Sequence, residues 1–245
     1  MTPKAPKDCW ELAEQVIQHS RTVLLEGPPG TGKSRFGKTA CLQKGQKVYS
    51  VTLTEEHPAA EFRGFYIPKG DKFEWVHGVG ILAWVEGARL VIDEIDRSGP
   101  DLQSFFLALL DDEAVASYTL PTGITVRPKS GFQVVATMNG DSRVDLPAAL
   151  ADRFPVCLNI NRINPNAVKA LPEDLRLPAE SSIAIEDERR QSSVRRWFAY
   201  SHLRDKLDST VAAQAVFGSS YKEVLASLKA GEMASSSSLP SSSSS

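Results

Sequence analysis

Residues 27 to 34 read Gly27-Pro28-Pro29-Gly30-Thr31-Gly32-Lys33-Ser34, filling every fixed position of the phosphate-loop pattern G-x-x-x-x-G-K-[ST]. Thr22 to Glu26 before it is a short apolar, β-branched run that reads as a buried strand. Ser34 to Gln43 after it contains no Pro and reads as a helix. Strand, glycine loop and helix together offer backbone N–H groups and a positive helix end to phosphate oxygens. Lys33 then neutralises the β- and γ-phosphates, and the Ser34 hydroxyl ligates Mg²⁺. A glycine turn with an incidental lysine would need neither flanking element, so the expectation is a nucleoside triphosphate site.

A second set of chemical groups follows about 60 residues on. Leu90-Val91-Ile92 leads into the adjacent carboxylates Asp93 and Glu94. Beside a phosphate loop, Asp93 is suited to hold Mg²⁺ through its water shell. Glu94 is then placed to polarise an attacking water as general base. In isolation such a pair would more simply be solvated charge at a strand end. Gln133 to Asn139 is another apolar run, finishing in Thr137-Met138-Asn139. The Asn139 amide could hydrogen-bond a γ-phosphate and the lytic water, or merely start a turn with Gly140.

These groups need a frame. Strands are expected at Val23–Glu26, Val48–Leu53, Leu90–Asp93, Val134–Met138 and Val156–Ile160, most of them apolar on consecutive residues, as parallel strands covered on both faces are. Helices are expected over about Asp8 to His19, Leu102–Leu110 and Pro147–Asp152, so the alternation implies a parallel sheet with helices on both sides. From about Pro165 the pattern changes. A Pro-containing connector, Leu171 to Pro178, leads to helical segments near Ser193–Lys206 and Ser220–Lys229, a small α-helical second unit. The expected division is residues 1–164 for the α/β nucleotide-binding domain, 165–232 for the small helical domain, and 233–245 for a disordered Ser-rich tail too polar to pack.

Hydrophobic residues at 42% and charged residues at 24% are those of a globular domain. A formal charge of −2 gives no general reason for direct nucleic-acid contact. The three cysteines, Cys9, Cys41 and Cys157, are scattered, which argues against a structural zinc site and suits a reducing compartment. Met1 to Trp10 has no apolar core of a secretory signal, and no apolar run approaches a membrane span. A cytoplasmic protein with no membrane association is expected.

GPPGTGKS, LVIDEIDR, VVATMN and LPAALADRF, in this order and spacing, resemble the AAA+ ATPases of the MoxR and dynein-related group. The resemblance covers about Thr22 to Ile160 well. It implies the P-loop NTPase fold of that family: α/β, with a five-stranded parallel sheet flanked by helices and a small α-helical lid. It also implies ATP with Mg²⁺, and a homo-oligomeric ring, typically a hexamer, with ATP sites between neighbouring subunits. By the same resemblance Asn139 is the sensor-1 residue and Arg153 the arginine finger that enters the next subunit's site. Arg153 could otherwise simply complement a helix C-terminus. Ser193-Val194-Arg195 looks like the start of the helix bearing the sensor-2 arginine, with Arg196 adjacent and a solvated basic helix start as the plainer reading. The chain departs from the family over Asn161 to Gln191, where helical periodicity is short.

Glu61 to Val76 carries two aromatic-rich runs about Pro68-Lys69-Gly70-Asp71, a hairpin signal. Its aromatics either grip a partner or pack against Ile81-Leu82-Ala83-Trp84. A second hairpin is expected with Tyr118-Thr119-Leu120 opposite Thr125-Val126. The combined expectation is an Mg²⁺-dependent ATPase that remodels a protein client, with a von Willebrand A-domain partner implied by the resemblance alone. A nucleotide-gated switch with little turnover and a GTP-driven DNA-restriction motor subunit are the alternatives.

Overall fold

The computed structural model describes residues 5–183 and 193–236. Asp8 caps the first helix, α1 (Cys9–Ile17), by accepting from the N–H groups of Trp10 and Glu11. There follow β1 (Thr22–Glu26), α2 (Lys33–Thr39), β2 (Val48–Thr52), α3 (Ala60–Arg63), β3 (Gly64–Lys69) and β4 (Lys72–His77). Next come α4 (Val79–Glu86), β5 (Arg89–Asp93), α5 (Pro100–Leu109), β6 (Tyr118–Thr119) and β7 (Thr125–Val126). Then β8 (Gln133–Thr137), α6 (Ser142–Asp145), α7 (Ala148–Ala151) and β9 (Cys157–Asn159) complete the first of two compact units.

Five strands form one parallel sheet in the order β2-β5-β8-β1-β9. Successive strand residues point to opposite faces, and here both faces are covered. Leu24, Leu90, Ile92, Val134 and Ala136 pack with Trp84, Phe62 and Phe106. Val23, Leu25 and Val135 face the other way, against Trp10, Ile17 and Phe36. Consecutive apolar residues in β1, β5 and β8 are thus the product of two-sided burial. The five expected strands all occur, with ends moved by a residue or two.

Helix α2 stops at Thr39 instead of running to Gln43. Cys41 takes a left-handed conformation (φ 49°), and the fully buried Arg89 guanidinium donates to the last carbonyls, those of Gly37 and Ala40. A cation at that end also complements the helix dipole. Arg89 is fixed in turn by Gln133, whose amide donates to the carbonyls of Ile17 and Ser20.

The β3–β4 hairpin divides its aromatics. Phe62 before it is fully buried and Trp75 is half-buried against the core, whereas Phe65 and Tyr66 are exposed and Phe73 is 73% exposed. The β6–β7 hairpin forms as expected, Tyr118 opposite Val126.

The second unit comprises residues 161–236 of the described chain together with the loop Pro28–Gly32. Its helices are α8 (Pro165–Lys169), α9 (Glu173–Ile183), α10 (Val194–Arg204), α11 (Ser209–Phe217) and α12 (Tyr221–Ser236). The expected connector Leu171–Pro178 is corrected here: most of it belongs to α9, with Pro178 inside the helix. Leu171, Leu175 and Ala179 recur every four residues on one buried stripe, and the Ser182 hydroxyl beyond them accepts from the Trp197 indole. That burial outweighs the lost backbone bond at Pro178. The disorder expected from residue 233 is corrected at its start, since helix α12 continues through Ser236; residues 237–245 lie outside those described. Among the described residues no helix is long and apolar enough to cross a membrane.

Candidate nucleotide site

Because β5, β8 and β1 are parallel neighbours, their C-terminal ends open on one edge of the sheet. Leu25 lies opposite Thr137, and Ile92 opposite Ala136. Gly27, Asn139 and the Asp93-Glu94 pair therefore leave adjacent strands side by side, at the edge where open α/β sheets bind ligands.

The turn out of β1 requires glycine. Gly27 has φ 133°, and a Cβ there would lie 2.3 Å from the Ile160 carbonyl oxygen. Within the second unit, the Thr31 carbonyl accepts from the Asn164 N–H. Gly30, at φ 79°, leaves no room for a Cβ against Ser193. Lys33 opens α2 with a side chain folded inward. Its ammonium donates to the Gly27 carbonyl (2.7 Å) and the Asn139 Oδ1 (3.4 Å). Burial pulls the Lys33 pKa down to about 8, against the opposing pull of Asp93, Asp96 and Glu94. Phosphate binding needs the charged form, so nucleotide affinity should be level below pH 8 and fall above it. The expected loss is about tenfold between pH 7 and pH 9. Nucleotide titration across that range checks this; affinity constant to pH 10 would contradict it.

Asp93 is 5% exposed at the end of β5. Its Oδ1 accepts from the Thr137 hydroxyl (2.9 Å), and its Oδ2 faces the Lys38 ammonium at 3.7 Å. No cluster of three or more His, Cys, Asp or Glu able to hold a metal occurs among the described residues. One buried carboxylate and the Ser34 hydroxyl are a hard, oxygen-only donor set with few protein ligands. That suits Mg²⁺, which keeps its waters and binds mainly through phosphates. Among the described residues the buried Asp96 Oδ1 has no hydrogen-bond partner and adds an acceptor three residues after Asp93.

Glu94 is left-handed (φ 59°, ψ 51°), an uncommon conformation for a residue with a side chain. The short 3₁₀ turn Ile95–Arg97 follows, and Arg97 Nε pairs with Glu94 Oε2 at 2.8 Å. Asn139, exposed two residues beyond β8, contacts Lys33 through its amide oxygen. The loop after it is tied to the start of the phosphate loop, since Glu26 Oε2 accepts from the Ser142 N–H (3.0 Å). Burial alone would raise the Glu26 pKa; its bonds with Ser142 bring it below the usual value.

Arg153 is elsewhere. Its carbonyl accepts from the hydroxyl of Thr22, the first residue of β1, and its guanidinium lies 3.5 Å from Asp111 Oδ1. Thr22 and Gly27 are separated by the whole of β1, a span of about 16 Å for extended chain. Arg195 and Arg196 are exposed in the first turn of α10, in the second unit.

Sequence reasoning missed Lys38, Thr137 and Arg97. Lys38 is four residues after Ser34, on the same helix face; Thr137 and Asn139 share strand parity; Arg97 follows Glu94 by three, the 3₁₀ repeat. A cleft of about 400 Å³ lined by Lys44, Lys47, Glu86 and Lys129 precedes β2, β5 and β8, at the opposite ends of the strands from these groups.

Residues 22–154 match the family model of the AAA domain (dynein-related subfamily). The chain is 32% identical over 126 residues to protein NorQ of Paracoccus denitrificans, covering 51% of this chain and 46% of NorQ. It is 30% identical over 129 residues to the denitrification regulatory protein NirQ of Pseudomonas aeruginosa, covering 53% and 49%. Midasin of Giardia intestinalis is 27% identical over 157 residues, 62% of this chain but 3% of midasin. The chain thus spans about half the length of NorQ and NirQ and a small fraction of midasin. Among solved structures, NtrX from Brucella abortus shares the fold, with a TM-score of 0.56 at 15% identity over 82% of this chain and 50% of NtrX.

Proposed function

The chain belongs to the dynein-related subfamily of AAA domains, as an AAA+ ATPase of the MoxR-like type, and from that premise we propose that it hydrolyses Mg²⁺-ATP between subunits of a ring to remodel a protein partner. The observation that carries the catalytic reading is the side-by-side emergence of Lys33 with Gly27, Asn139, and Asp93-Glu94 from three adjacent strand ends. Ser34 and Asp93 are the residues to hold Mg²⁺, which supplies charge neutralisation on the phosphates. Lys33 adds a fixed cation beside them. Asn139 orients the γ-phosphate and the attacking water, and Glu94 takes that water's proton as oxygen attacks phosphorus in line. The β–γ bridging bond breaks and ADP departs.

The position of Arg153 supports the shared site. Held at the Thr22 end of β1, it is a strand length from its own phosphate loop, so a neighbour's site is its natural target. Closed rings of copies place such a residue in trans. A hexamer follows the family pattern, and Arg195 is proposed as the sensor-2 cation on the same basis. The exposed Phe65, Tyr66 and Phe73 on the β3–β4 hairpin support a protein client or an A-domain partner as the object of the work. With a net charge of −2, direct nucleic-acid contact has no support.

Phosphate release from Mg²⁺-ATP, with GTP alongside, tests this reading. ATP turnover that Lys33→Ala abolishes is the expected result. Binding without turnover at any protein concentration would favour a nucleotide-gated switch, and a preference for GTP would favour a restriction-type motor; either outcome overturns the proposal.

A further inference from the structure

The structure assigns Arg97 as a positioning residue for Glu94, an inference that rests on the reading of Glu94 as general base. Glu94 is unusual in two independent ways. Its backbone is left-handed at φ 59°, which turns its side chain out of the direction β5 would give it. Its carboxylate is also ion-paired, with Arg97 Nε at 2.8 Å from Oε2. The geometry has a local cause. Glu94 caps the 3₁₀ turn Ile95–Arg97, its carbonyl accepting from the Arg97 N–H (3.0 Å), so the chain returns Arg97 beside Glu94. The turn is itself fixed: the Ser98 hydroxyl donates to the Ile95 carbonyl (2.7 Å), and the Gln103 amide to the Ser98 carbonyl (2.6 Å). The cation is therefore presented from an anchored turn.

Only one carboxylate oxygen is engaged. Among the described residues Glu94 Oε1 has no ion pair or hydrogen bond, so the pair tethers Oε2 and leaves Oε1 to accept the proton of water. This is the arrangement of a base oriented by a third group, in which one side of the base is held and the other works. A glutamate with three rotatable bonds, 31% exposed at its side chain, would otherwise spread over several rotamers. Arg97 does not touch substrate in this account; it acts through Glu94.

Steady-state kinetics of Arg97→Ala, Arg97→Lys, Glu94→Gln and the Glu94→Gln/Arg97→Ala double variant test the assignment, with binding of a fluorescent ATP analogue measured for each. Arg97→Ala should lower kcat by roughly 10- to 100-fold, the size expected when a reacting group is misplaced by about 1 Å. KM and analogue binding should stay unchanged, and Arg97→Lys should recover part of the rate. In the Glu94→Gln background the same change should have no further effect, because two residues acting as a unit are not additive. Wild-type or faster turnover in Arg97→Ala, with Glu94→Gln inactive, would overturn the positioning role alone. An undiminished loss in the Glu94→Gln background would do the same. An active Glu94→Gln would instead overturn the reading of the base. Should Arg97→Ala fail to fold, Arg97→Lys and Arg97→Gln decide: Lys must outperform Gln in kcat at equal analogue affinity.

Discussion

Glu94→Gln is expected to lower ATP turnover by about 10²–10⁴-fold, the usual contribution of a positioned general base. Nucleotide binding should survive. The isosteric amide keeps the side chain's shape, and the groups proposed to hold phosphate, namely Lys33 and the loop, are untouched. Gln cannot accept the water's proton, so the variant should accumulate bound, unhydrolysed ATP. Filter binding followed by identification of the retained nucleotide distinguishes this from simple loss of affinity. Retained ADP at near wild-type rates would show that another group takes the proton. The adjacent Asp93 is a poor substitute, since it accepts from the Thr137 hydroxyl, faces the Lys38 ammonium and is the carboxylate proposed to hold Mg²⁺.

Arg153→Ala carries the second large effect. An arginine supplied to a neighbour's transferring phosphoryl group is worth roughly 10³–10⁵ in rate. Arg153→Ala subunits should bind ATP normally and turn over little. Mixed with Lys33→Ala subunits, which have an empty phosphate loop but an intact finger, they should regain part of the activity. An Arg153→Ala chain bound to Lys33→Ala in the right order has one complete composite site. Co-sedimentation of differently tagged variants establishes that mixed assemblies form. Mixed assemblies as inactive as either parent would place Arg153 outside the neighbour's site. Its ion pair with Asp111 is part-exposed, and a structural role of that kind would leave turnover nearly intact.

What could be read in advance divides along physical lines. The β1–α2 turn was legible because local chemistry specifies it: glycines where φ is positive or a Cβ has no room, and lysine at a fixed spacing. The five sheet strands were legible because burial on both faces leaves runs of apolar residues. Helix α9 was not, because Pro178 locally argues against a helix; its stripe of Leu171, Leu175 and Ala179 is stabilised by apolar residues that α8, α10 and α12 bring from elsewhere in the sequence. The end of α2 was missed for a similar reason, since Arg89 is distant in sequence and meets the Gly37 and Ala40 carbonyls only once the sheet forms. In the site, Asp93, Glu94 and Asn139 stood at strand ends that the pattern itself marks. Their partners Lys38 and Thr137 became visible only when the register brought them together, and the pairing of Arg97 with Glu94 only when the turn after β5 proved to be 3₁₀.

Completion of catalysis between subunits is tested by turnover per subunit measured across a wide range of protein concentration. Mg²⁺-ATP turnover is expected to rise steeply with concentration and then saturate, as assembly brings each Arg153 to its neighbour's phosphates. Turnover per subunit that is constant down to concentrations at which the chain sediments as a monomer would contradict it.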